Sequence, residues 1–172
     1  MAAVVSRVRE LIQAMVSDLE MNPLETHASR LVGIGQVAPH TILPLTSIEP
    51  LERYNCVMHA LGLLGRMPDY SHPLLLARLA FVEHLVACHV LEPCGPRAGA
   101  LVAWSSSSGI QHIGKMISPD RAESKWGAGI LCAHGLDEVP PQYGSVSGIY
   151  HPIDPSVASE HLHSYIFGAS PA

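Results

Sequence analysis

Cys56 is the residue in this chain best placed to act as a nucleophile. It follows Tyr54-Asn55, and Asn is a favoured helix N-cap, so the local sequence predicts a helix that opens at Asn55 with Cys56 in its first turn. Unpaired amides and the helix dipole favour a thiolate at that position. A thiolate needs a base or a counter-ion, and His112 offers one. In an extended strand its side chain shares a face with Ile110, Gly114 and Met116, while Gln111, Ile113 and Lys115 face the other way. Gly114 beside it leaves room for a substrate. The residues by themselves leave Cys56 open between a nucleophile and a buried structural thiol.

Two further constellations compete with this pair. His59 lies three residues after Cys56 on the same helix, which sets its side chain beside the thiol rather than across a cleft from it. His84, Cys88, His89 and Cys94 suggest a metal, since His84 and Cys88 share a helix face, but they meet no standard zinc spacing.

The elements that must position these groups follow from periodicity and turn chemistry. Apolar residues from Val4 to Leu19 recur at three and four residues, predicting an amphipathic helix that stops before Asn22-Pro23. Four prolines and Gly33-Ile34-Gly35 predict an extended, turn-rich connection over 23–50. A short buried helix is expected over 56–64, and a longer one over 72–91, started by Ser71 and Pro73 and stopped by Pro93 and Gly95. Beyond that the pattern becomes strand-like: 100–104, 110–117 and 122–126 form a hairpin ladder, with Ser118-Pro119-Asp120-Arg121 as a turn. A last strand is expected over 145–150, followed by a tail. Helices first and strands second is the α+β pattern.

Composition bounds the rest. The 172 residues fit one domain, and 48% hydrophobic against 15% charged residues excludes disorder. A net charge of -5 with no basic stripe argues against nucleic acid or an anionic membrane surface as partner, and no apolar run reaches the ~18 residues of a membrane span. The four cysteines include no pair at two-residue spacing, so reduced thiols are expected. Arg7, Arg9 and Glu10 interrupt what a secretory signal would need as an apolar stretch, which predicts a chain that starts in the cytoplasm.

A helix-opening Cys, a later helix, then a strand bearing His and its hairpin partner resembles, in content and order, the papain-like cysteine hydrolases, particularly the bacterial NlpC-type cell-wall peptidases and the related CHAP amidases. More closely, Tyr54-Asn55-Cys56-Val57-Met58-His59-Ala60-Leu61-Gly62, then Gln111-His112-Ile113-Gly114, Glu123-Ser124-Lys125-Trp126-Gly127, His134 and Gln142-Tyr143-Gly144 are similar to an uncharacterised bacterial branch of that superfamily. The resemblance spans 51–151, leaving 1–50 as an N-terminal helix and connection and 152–172 as a tail. It implies a papain-like α+β fold with a helix-borne Cys packed on a small antiparallel sheet.

It also implies roles. Cys56 becomes the nucleophile and His112 the base that takes its proton and returns it to the leaving amine. A third polar residue orients the imidazole: Ser124, Glu123 if the register slips by one, or His134. The Cys56 amide, with Tyr54 or Asn55, becomes the oxyanion donor. Trp126 either walls a substrate groove or sits in the core, and Tyr143-Gly144 reads as a turn. No cofactor or metal is implied. The substrate class is the peptide part of peptidoglycan, reached by an effector or toxin through a dedicated secretion or lysis route. Two alternatives stay open: a cysteine peptidase, deamidase or acyltransferase acting on an intracellular protein, and a non-catalytic binding module on the same fold.

Overall fold

The structure is a computed structural model that describes residues 2–17, 25–66, 77–127 and 129–168. The helices are α1 (Ala2–Ser17), α2 (Glu25–Val37), α3 (Cys56–Ala60), α4 (Leu79–Ala87) and α5 (Pro155–Phe167). The strands are β1 (Leu43–Pro44), β2 (Leu101–Ser106), β3 (Gly109–Ser118), β4 (Arg121–Lys125), β5 (Leu131–Gly135) and β6 (Ser145–Tyr150). They form one antiparallel sheet in the order β1-β5-β4-β3-β2-β6, so the fold is α+β.

The strands read as buried because the sheet is covered on both faces. Along β2, Leu101 and Ala103 join one core while Val102 and Trp104 join another. The first core packs Val57, Phe81, Leu85 and Leu162 of α3, α4 and α5 against Ile113. The second packs Val8, Ile12, Leu31 and Ile34 of α1 and α2 against Trp104, Met116, Ala122 and Trp126. Both α1 and α2 are therefore part of the core rather than an appendage, and Trp104 and Trp126 are both fully buried.

Two expectations change, and one strand is added. The connection over 23–50 contains α2, because the run between Pro23 and Pro39 has no proline and Leu31, Ile34 and Ala38 fall on one helical face. Burial of that face offsets the ~1 kcal/mol that each helical glycine costs. The tail contains α5: the Asp154 carboxylate accepts from the Ser156 amide at 2.8 Å, Pro155 fits the first turn, and Gly168 closes the helix in the left-handed conformation. The segment carrying His134 is β5, paired in register with β4.

The helix expected over 56–64 ends at Ala60, and the one expected over 72–91 is seen from Leu79 to Ala87. Its proposed start signals, Ser71 and Pro73, lie outside the described residues.

Two details of β3 matter for the site. A bulge moves the pairing from Trp104↔His112 to Ser105↔Ile110, so Ile110 turns toward the α3–α4 core instead of sharing a face with His112. At Gly114 no space is left for a substrate. A Cβ there would lie 2.7 Å from the Glu123 carbonyl, 2.9 Å from the Ser124 Cβ and 3.4 Å from the Trp104 ring. Gly114→Ala is expected to lower stability by about 1–3 kcal/mol, read as a drop in urea midpoint; an unchanged midpoint would show that β4 can move away.

Candidate functional site

The β3–β4 ladder runs from Lys115↔Glu123 toward the Ser118–Arg121 turn, so beyond it the strands part around Ile113 and Lys125. The first turn of α3 sits over that opening. Asn55 caps the helix as expected, its side chain accepting from the Met58 amide at 3.0 Å and donating to the Ala77 carbonyl at 2.7 Å. Both ends of Asn55 are engaged, and its Nδ2 keeps a second N–H at the lip of the groove it lines. Tyr54 is committed: it is buried, and its hydroxyl meets that of Ser47 at 2.6 Å.

Cys56 is half-buried, and the surface it keeps opens onto a groove of about 430 Å³ lined by Asn55, Cys56, Val57, Arg78, Leu79 and Ala80. The backbone of Ile113, Val57 and Cys56 and the Lys125 charge all favour the thiolate. Burial nonetheless prevails and pushes the thiol up. The helix start therefore does not by itself make the reactive thiolate that its position predicts.

His112 projects from the other face of β3. Its ring lies flat on Tyr143, centroids 4.0 Å apart and planes within 5°, with Trp104 at 5.5 Å. Burial, then the neighbouring His134 and His59, holds it neutral well below its ordinary value. Its Nε2 is buried without a hydrogen-bond partner, and no hydrogen bond joins it to Cys56 at rest. Tyr143 links the two: it packs on His112, and burial, then the charge of a thiolate at Cys56, pushes its phenol up. Tyr143 is thus a contact as well as part of the 3-10 turn Pro141–Tyr143. Arg9 of α1 holds that turn through the carbonyls of Val139 at 3.1 Å and Gly144 at 2.6 Å.

The three candidates for orienting His112 do other work. The Gly135 carbonyl can only accept, so the His134 proton sits on Nδ1, 2.9 Å away; Nε2 must then accept from the Ser124 hydroxyl at 2.8 Å. Trp126 Nε1 donates to the same Ser124 oxygen at 3.1 Å. This closed chain makes Ser124, His134 and the fully buried Trp126 a core network, and removes Trp126 as a groove wall. Burial lowers His134 to about 4, so it is neutral. The register does not slip: Glu123 faces α3 and meets His59 Nε2 at 3.3 Å, which holds the carboxyl below its usual value.

The sequence reading passed over Lys125. It is fully buried on the α3 side of β4, its Nζ donating to the Gly127 carbonyl at 2.8 Å and lying 5.3 Å from the centre of the Tyr54 ring. The available signal was its alternation with Ser124, which turns it toward the Cys-bearing helix. Of the proposed metal set, His84 and exposed Cys88 touch at 3.7 Å, and among the described residues no group of three or more His, Cys, Asp or Glu is arranged to hold a metal.

Fold and site together define an α+β protein with a helix-opening thiol and a buried lysine on the same side of the sheet. No family model, curated protein or solved structure matches the chain. Among the described residues no helix is long and apolar enough to cross a membrane.

Proposed function

We propose that the protein is a papain-like cysteine hydrolase that cleaves an amide bond through Cys56 and His112. The observation that carries this is the thiol at the first turn of α3, open to a groove, together with His112 on β3, whose Nε2 is buried and unbonded and whose ring packs on Tyr143. Neutral imidazole is the form that can accept a proton. Nε2 takes the proton of the Cys56 thiol, the sulfur attacks the carbonyl carbon, and the same proton leaves on the amine. Water then cleaves the thioester. Proton transfer requires Nε2 to come within ~3 Å of the sulfur, a contact the resting chain does not make and substrate must bring about. The Cys56 amide, at the unpaired start of α3, faces the oxyanion.

Peptidoglycan peptides are the first substrate class to test, with an intracellular protein as the alternative. Purified protein is incubated with sacculi and with casein, and released fragments are read by mass spectrometry. Fragments should appear faster as pH rises from 7 to 9, because burial holds the thiol protonated at neutrality. Cys56→Ala and His112→Ala should each lose ~100-fold or more. Cleavage that survives Cys56→Ala would overturn the reading. The non-catalytic module is favoured by one specific observation, the missing Cys56–His112 hydrogen bond, and intact substrates with a sluggish Cys56 would establish it.

A further inference from the structure

We infer that Tyr143 is the positioning residue of His112, setting the plane of the imidazole by stacking, and that Arg9 of α1 clamps Tyr143 in place; this rests on His112 being the base of the proposed hydrolase. A general base works only if its ring is held in one orientation. The polar side chains expected to do this are engaged elsewhere, Ser124 with His134 and Glu123 with His59. What touches the imidazole is aromatic. Tyr143 lies parallel to it, within 5° at 4.0 Å, and Trp104 meets it at 5.5 Å with the planes 43° apart. Trp104 is itself fixed, its Nε1 donating to the Leu136 carbonyl at 2.8 Å.

A parallel stack resists tilting of either ring but lets one slide over the other. The plane of His112 is therefore set, and the approach of Nε2 to the Cys56 sulfur that substrate must bring about runs along the face of Tyr143. A stack also consumes neither ring nitrogen, which leaves Nε2 free to take and return a proton. Once it has taken the thiol proton, the imidazolium lies over an aromatic face, a cation–π contact that the neutral ring does not have.

A stacked ring orients its neighbour only as well as it is held itself. Tyr143 is buried at the end of its 3-10 turn, and its amide donates to the Pro140 carbonyl at 2.9 Å. Gly144 follows with φ at 81°, so close to β2 that a Cβ there would run into the Ser105 carbonyl. From α1, Arg9 spans the turn: Nε donates to the Val139 carbonyl at 3.1 Å and Nη2 to the Gly144 carbonyl at 2.6 Å. This planar fork grips residues on either side of Tyr143 at a set spacing, which a lysine cannot copy. The N-terminal helix thus reaches the site through one arginine.

Histidine labelled with carbon-13 at Cε1 gives eleven NMR signals, and His112→Gln identifies the one that matters. In the full-length wild type its attached proton should lie upfield, shielded by the ring current of Tyr143. It should stay there in Tyr143→Phe and move downfield in Tyr143→Leu. On the substrate that the protein cleaves, Tyr143→Leu should lose ~10-fold or more in kcat with KM within about 2-fold, and Tyr143→Phe should recover most of that loss. Arg9→Lys should show the Tyr143→Leu pattern in weaker form. A wild-type signal without the upfield shift would overturn the inference, and that measurement decides it if Tyr143→Leu fails to fold. Cleavage that proceeds equally well in Tyr143→Leu would sink the positioning role and leave the hydrolase standing. A shifted signal in a protein that cleaves neither sacculi nor casein would count against the hydrolase reading instead.

Discussion

Acidification from pH 6.5 to pH 4 is expected to remove about 3 kcal/mol of stability through His134 alone. The imidazole is held neutral with its folded value lowered to about 4, against an ordinary 6.5 once unfolded. Between those two values the unfolded chain binds a proton that the native chain refuses, so stability falls as pH falls across the window and is fully present above it. At about 1.4 kcal/mol per unit this gives the figure quoted. His112 is lowered in the same direction by the same cause, burial, and steepens the slope. The carboxylates of Glu123 and Glu138 are also depressed, but their contribution is lost only around pH 4.5 and below, as they protonate. Urea midpoints at pH 7, 6, 5 and 4 should therefore drop well before carboxylate titration begins. His134→Gln should be less stable at pH 7 and show a shallower slope. A wild-type midpoint that is flat from pH 7 to 5 would mean that these histidines are hydrated in solution.

Removal of residues 1–50 is expected to unfold the protein rather than to uncover its site. A lid over Cys56 would make the shortened chain more active, but α1 and α2 cover the sheet face opposite α3. Truncation strips Val8, Ile12, Leu31, Ile34, Ala38 and Ile42 from the core around Trp104 and Trp126. At roughly 1.5–3 kcal/mol for each large side chain, the loss matches or exceeds the 5–15 kcal/mol that a domain of this kind has in total. It also frees the turn bearing Tyr143, which Arg9 holds and Gln13 steadies through Gln142 at 2.9 Å. The chain from 51 to 172 should show no cooperative thermal transition and bind hydrophobic dye. A transition within a few degrees of the full-length protein would refute this and restore the lid.

The sequence was most legible where local rules act alone. Asn55 caps its helix because a side-chain oxygen three residues from an unpaired amide does so in almost any context, and the 118–121 turn likewise fixed the β3–β4 hairpin. Alternation along β4 placed Ser124 correctly opposite Glu123 and Lys125. What each side then met was decided by packing across the sheet: Ser124 found His134 on β5, and Lys125 found the underside of α3. Neither partnership has a sequence spacing that announces it. The helix α2 was hidden by prolines that flank it rather than interrupt it, whereas α5 carried visible signals in Asp154, Pro155 and Gly168. The face of Ile110 was lost to a bulge, which inverts alternation without any marker in composition.

With both faces of the sheet covered by helices, a second chain has no sheet face to stack on, and association through the sheet is confined to its edges. One edge, β1, is two residues long and ends in Pro44. The other, β6, is already occupied at one end: Cys94 donates to the Ile149 carbonyl and His151 to the Glu92 carbonyl, with Pro93 bridged to Tyr150. That leaves Ser145 to Gly148 as the accessible backbone, too short a ladder for a foreign strand to hold, so the fold carries its own protection against edge-to-edge aggregation.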